Sequence, residues 1–212
     1  MYPFYHVFTQ NEKQDFEGAL KQKKYEKGSM VHCHGDTCIG MLLVKKGSVS
    51  LSVVSSEGKK ITLFRMGEGE ICVLGAACIL RQINFDVHLE AADNCTVEIL
   101  NAQTMSALID SNPKFESCVY KLATEKLSKM VDSVQELLFY SIEKRIARFL
   151  WDESKRISSA VMPLTHEQIA HYTGSAREVV TRELNKMAKN KIISLGRKSV
   201  EIIDKNALEQ MI

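Results

Sequence analysis

Short alternating stretches dominate the first half of the chain. Between about residues 24 and 101, brief apolar runs are separated by turns such as Lys46-Gly47. In one run, Val49, Leu51 and Val53 alternate with serines, which is the period of a half-buried strand. Many short strands at regular spacing predict a sandwich or barrel whose edges are closed by jelly-roll-like pairing.

A helical pattern replaces the strands after residue 101. Pro113 suits the first turn of a helix, and apolar residues then recur three and four positions apart. A helix over 113–138 would be roughly 39 Å long. Its apolar stripe needs a partner, either its own β domain or the same helix of a second chain, and we favour the second chain. The stripe comprises Val119, Leu122, Leu127, Met130, Val134 and Leu137.

The C-terminal part is predicted to form helices followed by a hairpin. Thr165 and Gln168 fit a capping box at the start of one helix, and Gly174 suits a turn that requires positive φ. Ser175 is placed to cap the next helix. Two short strands around the turn Gly196-Arg197-Lys198 follow.

Composition favours an ordinary water-soluble protein. The 212 residues are 45% hydrophobic and 25% charged, which suits one large domain or two small ones. No apolar run is long enough to cross a membrane, and the first residues lack the pattern of a signal peptide. We therefore expect a cytoplasmic location, no membrane partner, and six cysteines that are mostly free thiols.

Charge is distributed unevenly along the chain. Residues 1–140 carry a net charge of −2 and residues 141–212 carry +4, and 177–200 holds seven basic against two acidic residues. This asymmetry indicates an acidic partner for the C-terminal part, although a solvated helix face would give the same count.

One polar face of the second predicted helix has the composition of a DNA-reading surface. Arg177, Glu178, Thr181 and Arg182 share one side of its first turns. The second helix of a helix-turn-helix enters the major groove, where arginine pairs with guanine and glutamate accepts from cytosine. Surface salt bridges among these residues are the alternative. Residues expected to position double-stranded DNA through its phosphates are Thr165, Ser175, Thr181, Arg197 and Lys198.

Three stretches resemble the superfamily of the cyclic-AMP receptor protein and the fumarate-nitrate reduction regulator (CRP/FNR). "GSAREVVTRELNKM" is similar to the reading helix, with Arg177, Glu178 and Arg182 at base-reading positions. "LVKKGSVSLSVVSSEGKKITLFRMGEGE" is similar to the family's β-roll, and "SIEKRIARFL" to the helix after the dimer helix. The resemblance covers essentially the whole chain and implies a homodimer that reads a pseudo-palindrome and contacts RNA polymerase.

The resemblance also implies an α+β architecture in three parts. A jelly-roll-like β-roll sensor, similar to a cyclic-nucleotide-binding domain, is expected over residues 1–111. A long dimerisation helix is expected over 112–140. A winged helix-turn-helix that binds DNA is expected over 141–212.

The expected effector pocket lacks the groups that bind cyclic AMP in family members. Val73 and Leu74 stand where those members have Gly-Glu, and Phe85 and Asp86 stand where they have Arg-Ser. A cyclic phosphate needs a cation or converging N–H donors, and these residues supply neither. We therefore expect no cyclic AMP response and leave the cofactor unassigned, with a small-molecule effector still open. The pocket is expected near Val73, Leu74, Arg81 and Phe85.

The stretch "VHCHGDTC" raises redox and metal alternatives. Cys33 and Cys38 could form an iron–sulfur site with Cys72 or Cys118, but this spacing matches neither the oxygen-sensing branch nor ferredoxins. His32, His34 and His88 are candidate haem ligands, and surface or strand histidines are the alternative. The resemblance favours a strand followed by a structural Gly-Asp turn.

A cupin-type metal enzyme is the remaining alternative for the same stretch. His32 and His34 would share one face of a strand. A cupin also needs a glutamate four or five residues after the second histidine, where Cys38 and Ile39 stand. We therefore predict that the protein is not an enzyme and has no metal site.

Overall fold

The computed structural model describes residues 2–32, 39–73 and 87–212. Their contacts divide the chain into two units. One unit holds Met1–Gly58 and Leu63–Val131, and the other holds Lys59–Thr62 and Asp132–Ile212. The chain is mixed α+β, with most strands in the first half and most helices in the second, and this fold class confirms the sequence prediction.

Among the described residues, two four-stranded sheets hold the strands of the first unit, and only the start of β5 falls in the second unit. Their orders are β1-β8-β3-β6 and β2-β7-β4-β5. The strands are β1 Leu20–Tyr25, β2 Met30–His32, β3 Met41–Lys46, β4 Val49–Val54, β5 Lys60–Met66, β6 Ile71–Cys72, β7 His88–Ala91 and β8 Cys95–Leu100.

Alternate residues of β3 face two different cores. Leu42 and Val44 lie between the sheets, while Met41 and Leu43 face outwards onto helices α1 (Gln10–Ala19) and α2 (Ala102–Ser111). A cluster of aromatic rings fills the outer core at the N-terminus. Its buried members are Phe4, Phe8, Phe16 and Phe115. The first sheet is therefore covered on both faces.

Strand β4 departs from the expected half-buried pattern. Ser50 and Ser52, together with Ser48 just before the strand, are buried although the alternation placed them on a solvent face. Ser50 donates to the carbonyl oxygen of Glu90 over 3.3 Å, and Ser52 donates to that of His88 over 3.4 Å. A serine is small enough to be covered by its neighbours and can satisfy its hydroxyl on the adjacent strand, so the alternation predicted polarity correctly but exposure wrongly.

Helix α3 runs without a break over Pro113–Phe139. Its 27 residues give a length of about 40 Å, and it begins at the predicted proline. Asn112 precedes it, and its side-chain oxygen accepts hydrogen bonds from the backbone amides of Lys114 and Phe115. The prediction of a single long helix is confirmed.

In the second unit, helices α4 to α7 share one apolar core, and three short strands accompany them. Helix α4 packs against α5 and α6 through Ile146, Leu150, Val180 and Leu184. A three-stranded sheet of order β10-β11-β9 closes one side. The bounds are α4 Ile142–Ile157, β9 Val161–Met162, α5 His166–Thr173, α6 Arg177–Lys189, β10 Ile193–Gly196, β11 Ser199–Ile202 and α7 Lys205–Gln210.

The length and the apolar character of a helix decide whether it can cross a membrane. Across the described residues, no helix combines the length and the apolar character that crossing a membrane requires.

Candidate nucleic-acid interface

Helix α5 begins at a capping box. The Gln168 amide donates to the Thr165 hydroxyl over 3.2 Å, and the Thr165 amide donates to the Gln168 side chain over 2.9 Å. The helix ends at Gly174, which has a φ of +60°. A side chain at this φ would be strained, so the conformation of the turn favours glycine, and Cδ2 of Leu137 lies close to the space that a Cβ atom would take. The capping box and the turn confirm the sequence prediction for these two positions.

Helix α6 begins one residue later than the cap prediction required. Its N-cap is Ala176, and no side chain caps the helix there. Ser175 is therefore not the cap; it lies in the turn, where its amide donates to the carbonyl oxygen of Ala170 over 3.0 Å. Ser175 directly follows Gly174, and the hydrogen bond of its amide satisfies a carbonyl group in the last turn of α5.

The first turns of α6 expose the predicted reading residues. Arg177, Glu178 and Arg182 are all exposed. Arg182 keeps 72% of its side chain exposed and lies 3.5 Å from Glu183. Glu183 is only 12% exposed, but it also pairs with Lys186 over 3.5 Å, so the exposed guanidinium of Arg182 can exchange this partner for a base edge.

The opposite side of α6 packs against the core of the second unit. Val180, Leu184 and Met187 are buried in the core of the second unit. Arg145 of α4 donates a 2.6 Å hydrogen bond to the carbonyl oxygen of Thr173, the last residue of α5. This bond satisfies a carbonyl that α5 itself leaves without a helical donor, so it fixes the turn from which α6 starts.

Thr181 is joined to α5 by a histidine. His166 Nδ1 lies 3.0 Å from Thr181 Oγ1. Burial and then the positive charge of Arg177 lower the pKa of His166 below its usual value. No short-range sequence pattern predicts this role of His166, because fifteen residues separate it from Thr181.

The hairpin of β10 and β11 carries two basic residues at its turn. Arg197 and Lys198 are both exposed, and Lys198 adopts a φ of +57°. Strand β11 also pairs with β9, through Val200 and Met162. The hairpin is therefore anchored in the sheet while its basic turn faces solvent.

A cavity of about 280 Å³ lies between the start of α5, the start of α6 and the hairpin. Arg177 and Lys198 supply positive charge to it, and Glu167 supplies negative charge. Thr165 lies at its edge with its hydroxyl already engaged in the cap. The complete lining is Leu164, Thr165, His166, Glu167, Arg177, Gly196, Lys198 and Ser199. Its size and its two cations suit a phosphate group.

Helix α3 presents two apolar faces. Val119 is fully buried, and Leu122 and Met130 pack on the cores of the first unit. Leu127 and Val134 are instead 52% and 44% exposed. The predicted stripe therefore combines two faces. The exposed face consists of apolar residues spaced alternately four and three positions apart. We call this face the open stripe, and its residues are Leu127, Val131, Val134 and Leu138.

Leu137, the last member of the predicted stripe, is half-buried. Its Cδ2 atom occupies the space beside Gly174 in the second unit. It therefore lies off the open stripe, like Val119, Leu122 and Met130.

The turn before β6 holds a charged cluster that the sequence analysis did not single out. Glu70 accepts hydrogen bonds from Lys126 over 3.0 Å and from Lys129 over 2.6 Å. The Gly67 amide donates to the other carboxylate oxygen over 2.8 Å. Burial alone would raise the pKa of Glu70, but these hydrogen bonds outweigh it and lower the pKa to about 2.

Most of the expected effector pocket lies outside the described residues. Leu74, Arg81 and Phe85 are in that group, as are Cys33, His34 and Cys38 of the candidate metal stretch. Val73 is described, and it is fully buried in the outer core. Within 2–32, 39–73 and 87–212, no three histidine, cysteine, aspartate or glutamate residues lie close enough together to hold a metal ion.

Comparisons with known proteins identify both halves of the chain. The Crp-like helix-turn-helix domain matches residues 144–211, and the cyclic nucleotide-binding domain matches residues 22–112. A solved structure of a CRP/FNR-family transcriptional regulator from Eubacterium rectale is 29% identical. It superposes with a TM-score of 0.96 over 99% of this chain and 97% of that chain.

Curated relatives span nearly the whole chain as well. The fumarate and nitrate reduction regulatory protein of Yersinia pestis is 23% identical over 96% of this chain and 84% of that protein. The cyclic AMP receptor protein of Thermus thermophilus is 23% identical over 99% of this chain and 96% of that protein. Each of these two matches therefore extends over both domains of the chain.

Proposed function

The chain belongs to the CRP/FNR family of DNA-binding transcription regulators, and we propose that it acts as a homodimer on a pseudo-palindromic operator. The observation that carries the proposal is helix α6. Its first turns expose two arginines and a glutamate, while its opposite side is buried. A helix so held can lie in the major groove without losing its packing.

Base reading is assigned to three residues. Arg177 and Arg182 each offer a planar fork that fits the N7 and O6 acceptors of guanine. Glu178 offers acceptors that fit the N4 amino group of cytosine. Each is exposed on the same side of α6, which supports the assignment.

Phosphate contacts are assigned to residues around the cavity and the wing. Arg197 and Lys198 at the hairpin turn supply charge, and Ser175 supplies a hydroxyl group. Thr181, which stands between Glu178 and Arg182 on α6, supplies a second hydroxyl group that is proposed to meet a base edge as well as a phosphate. The hydroxyl group of Thr165 is engaged in the capping box, so Thr165 would act on DNA indirectly, by ordering the N-terminus of α5 that faces a phosphate. Contacts of this kind set position on the duplex and carry no sequence information.

A second copy of the chain is the partner proposed for the open stripe. Leu127, Val131, Val134 and Leu138 alternate at four and three residues, which is the spacing of a two-helix seam. A parallel pair of such helices would bring two reading helices onto half-sites about 34–36 Å apart. On this proposal residues 1–111 form the sensor, 112–140 the dimer helix and 141–212 the DNA-binding domain.

The sensor is proposed not to bind cyclic AMP. The cyclic nucleotide-binding domain match concerns the fold, whereas the phosphate-binding residues of that pocket are absent from the sequence at Phe85 and Asp86. A different small molecule is the proposed effector class. The family further implies RNA polymerase as a partner, a cytoplasmic location and no enzymatic activity, and we adopt these as parts of the proposal.

Operator selection from random DNA, followed by fluorescence anisotropy, tests the function. Arg182→Ala should weaken binding to the selected operator by about 1–3 kcal/mol and relax preference at one base pair. Lys205→Ala removes an equal charge from an exposed site at the start of α7 and serves as the matched control. Equal losses on operator and random DNA would contradict base reading by Arg182.

A further inference from the structure

The contact between His166 and Thr181 joins two helices that other residues already hold in place. The capping box of α5 is made by Thr165 and Gln168 without the imidazole. Helix α6 is held by Val180, Leu184 and Met187, which face the other way. The 3.0 Å contact between Nδ1 and Oγ1 therefore joins two side chains at the edge of the proposed DNA surface.

We infer that His166 is a positioning residue that sets which hydrogen-bonding group Thr181 presents to DNA, and that operator preference thereby responds to pH. The inference rests on the proposed function, because Thr181 matters only if α6 lies against DNA. It extends that function by naming a residue that does not itself touch a base.

The chemistry follows from the limited hydrogen-bonding capacity of a hydroxyl group. Thr181 has one hydrogen to donate and two lone pairs that accept. In neutral His166 with its proton on Nε2, Nδ1 accepts the Thr181 hydrogen, so the hydroxyl offers DNA only an acceptor. In protonated His166 both ring nitrogens donate, so Thr181 accepts from Nδ1 and its hydrogen turns outwards as a donor. The two protonation states thus present opposite groups at one position of α6.

The surroundings keep the imidazole neutral at ordinary pH. Burial first and Arg177 second lower the pKa of His166 below 6.5. Three charged residues line the same cavity as His166: Arg177 from α6, Lys198 from the hairpin and Glu167 from its own helix. The two cations oppose protonation and the carboxylate favours it. The switch is therefore expected on the acidic side of 6.5, where a donor would replace the acceptor.

The test measures operator and random DNA affinities of the full chain between pH 5 and pH 8. In the wild type, the ratio of the two affinities should change by roughly fivefold over this range, because one base-edge contact changes character. Thr181→Val removes the hydroxyl with little change in shape, and His166→Gln removes the titration. Each substitution should abolish the pH dependence of the ratio, and the double variant should behave like either single variant.

His171→Gln is the matched control, because it replaces a half-buried histidine of the same helix five residues further on. It should keep the wild-type pH dependence. Imidazole nitrogen resonances of the free protein should show the Nε2–H form of neutral His166 and a pKa below 6.5, and thermal unfolding of each variant verifies that it is folded.

Three results would overturn the inference. They are a wild-type ratio that is constant with pH, a pH dependence that survives in Thr181→Val, and a neutral His166 with its proton on Nδ1. Survival in Thr181→Val would mean that the imidazolium charge acts on phosphate directly. Absence of any operator preference at every pH would instead contradict the proposed function, so the two failures are distinguishable.

Discussion

Lys126 donates a 3.0 Å hydrogen bond to Glu70, although only 5% of the lysine side chain is exposed. The bond fastens helix α3 to the turn between β5 and β6, which are both elements of the β-roll. A buried ammonium group needs such a partner, because its desolvation is otherwise uncompensated. One carboxylate thus adds a polar attachment to the apolar packing that holds α3 on the β-roll.

Replacing Glu70 with glutamine should lower the free energy of unfolding by about 3 kcal/mol, because Lys126 would stay buried without an anion. Urea unfolding at pH 7 measures the change. Glu68→Gln, an exposed neighbour in the same turn, is the control and should change stability by less than about 0.5 kcal/mol. Equal effects of the two substitutions would contradict the role of the buried pair.

Acid should weaken the same attachment within a defined pH range. The pKa of Glu70 is lowered to about 2, against 4.5 as its ordinary value. The folded state therefore holds the carboxylate ionised while the unfolded state takes up a proton, so the contribution is complete above about pH 4.5 and declines as pH falls towards 2. Unfolding free energies of the wild type and Glu70→Gln should converge across that range. Parallel pH profiles would be evidence against this ionisation.

A charge on the open stripe should break the proposed dimer. Leu127→Lys places an ammonium group at a position that is 52% exposed in one chain but would be buried in the seam. Light scattering at micromolar concentration should report a dimer for the wild type and a monomer for the variant. Val54→Lys, at another exposed apolar side chain, should stay dimeric. A wild-type monomer, or a dimer that tolerates the lysine, would count against this seam.

Cyclic AMP at millimolar concentration should leave operator affinity and the melting temperature unchanged. A ligand that binds only the folded state raises the melting temperature, so an unchanged value reports the absence of binding. Scanning calorimetry with and without the nucleotide makes the measurement, and 5′-AMP controls for non-specific effects. A rise specific to the cyclic nucleotide would contradict the interpretation of Phe85 and Asp86.

The sequence was most informative where structure depends on neighbours in the chain. The capping box at Thr165, the glycine turn at Gly174 and the proline start of α3 are all local, and each is found as predicted. The exposed arginines of α6 also followed from helical spacing and lie where the pattern put them. Their roles towards DNA stay predictions.

Features that depend on distant contacts were missed. The buried serines of β4 required knowledge of what covers the strand, and Glu70 required knowledge of a helix 56 residues away. The stripe of α3 shows the same limit, since apolar spacing alone does not tell which face meets the β-roll. His166 could not have been paired with Thr181, because the contact exists only after α5 and α6 have packed.

The hydrogen bond from Arg145 to the Thr173 carbonyl determines where the DNA-binding domain should begin when it is fused to another protein. A fragment beginning at α5 would contain both helices of the reading motif and the wing, yet it would lose the guanidinium that holds the turn between those helices. It would also lose Ile146 and Leu150, which fill the core behind α6. The smallest portable unit therefore begins no later than Ser141, the N-cap of α4, and including α3 from Asp132 also keeps Leu137 beside Gly174.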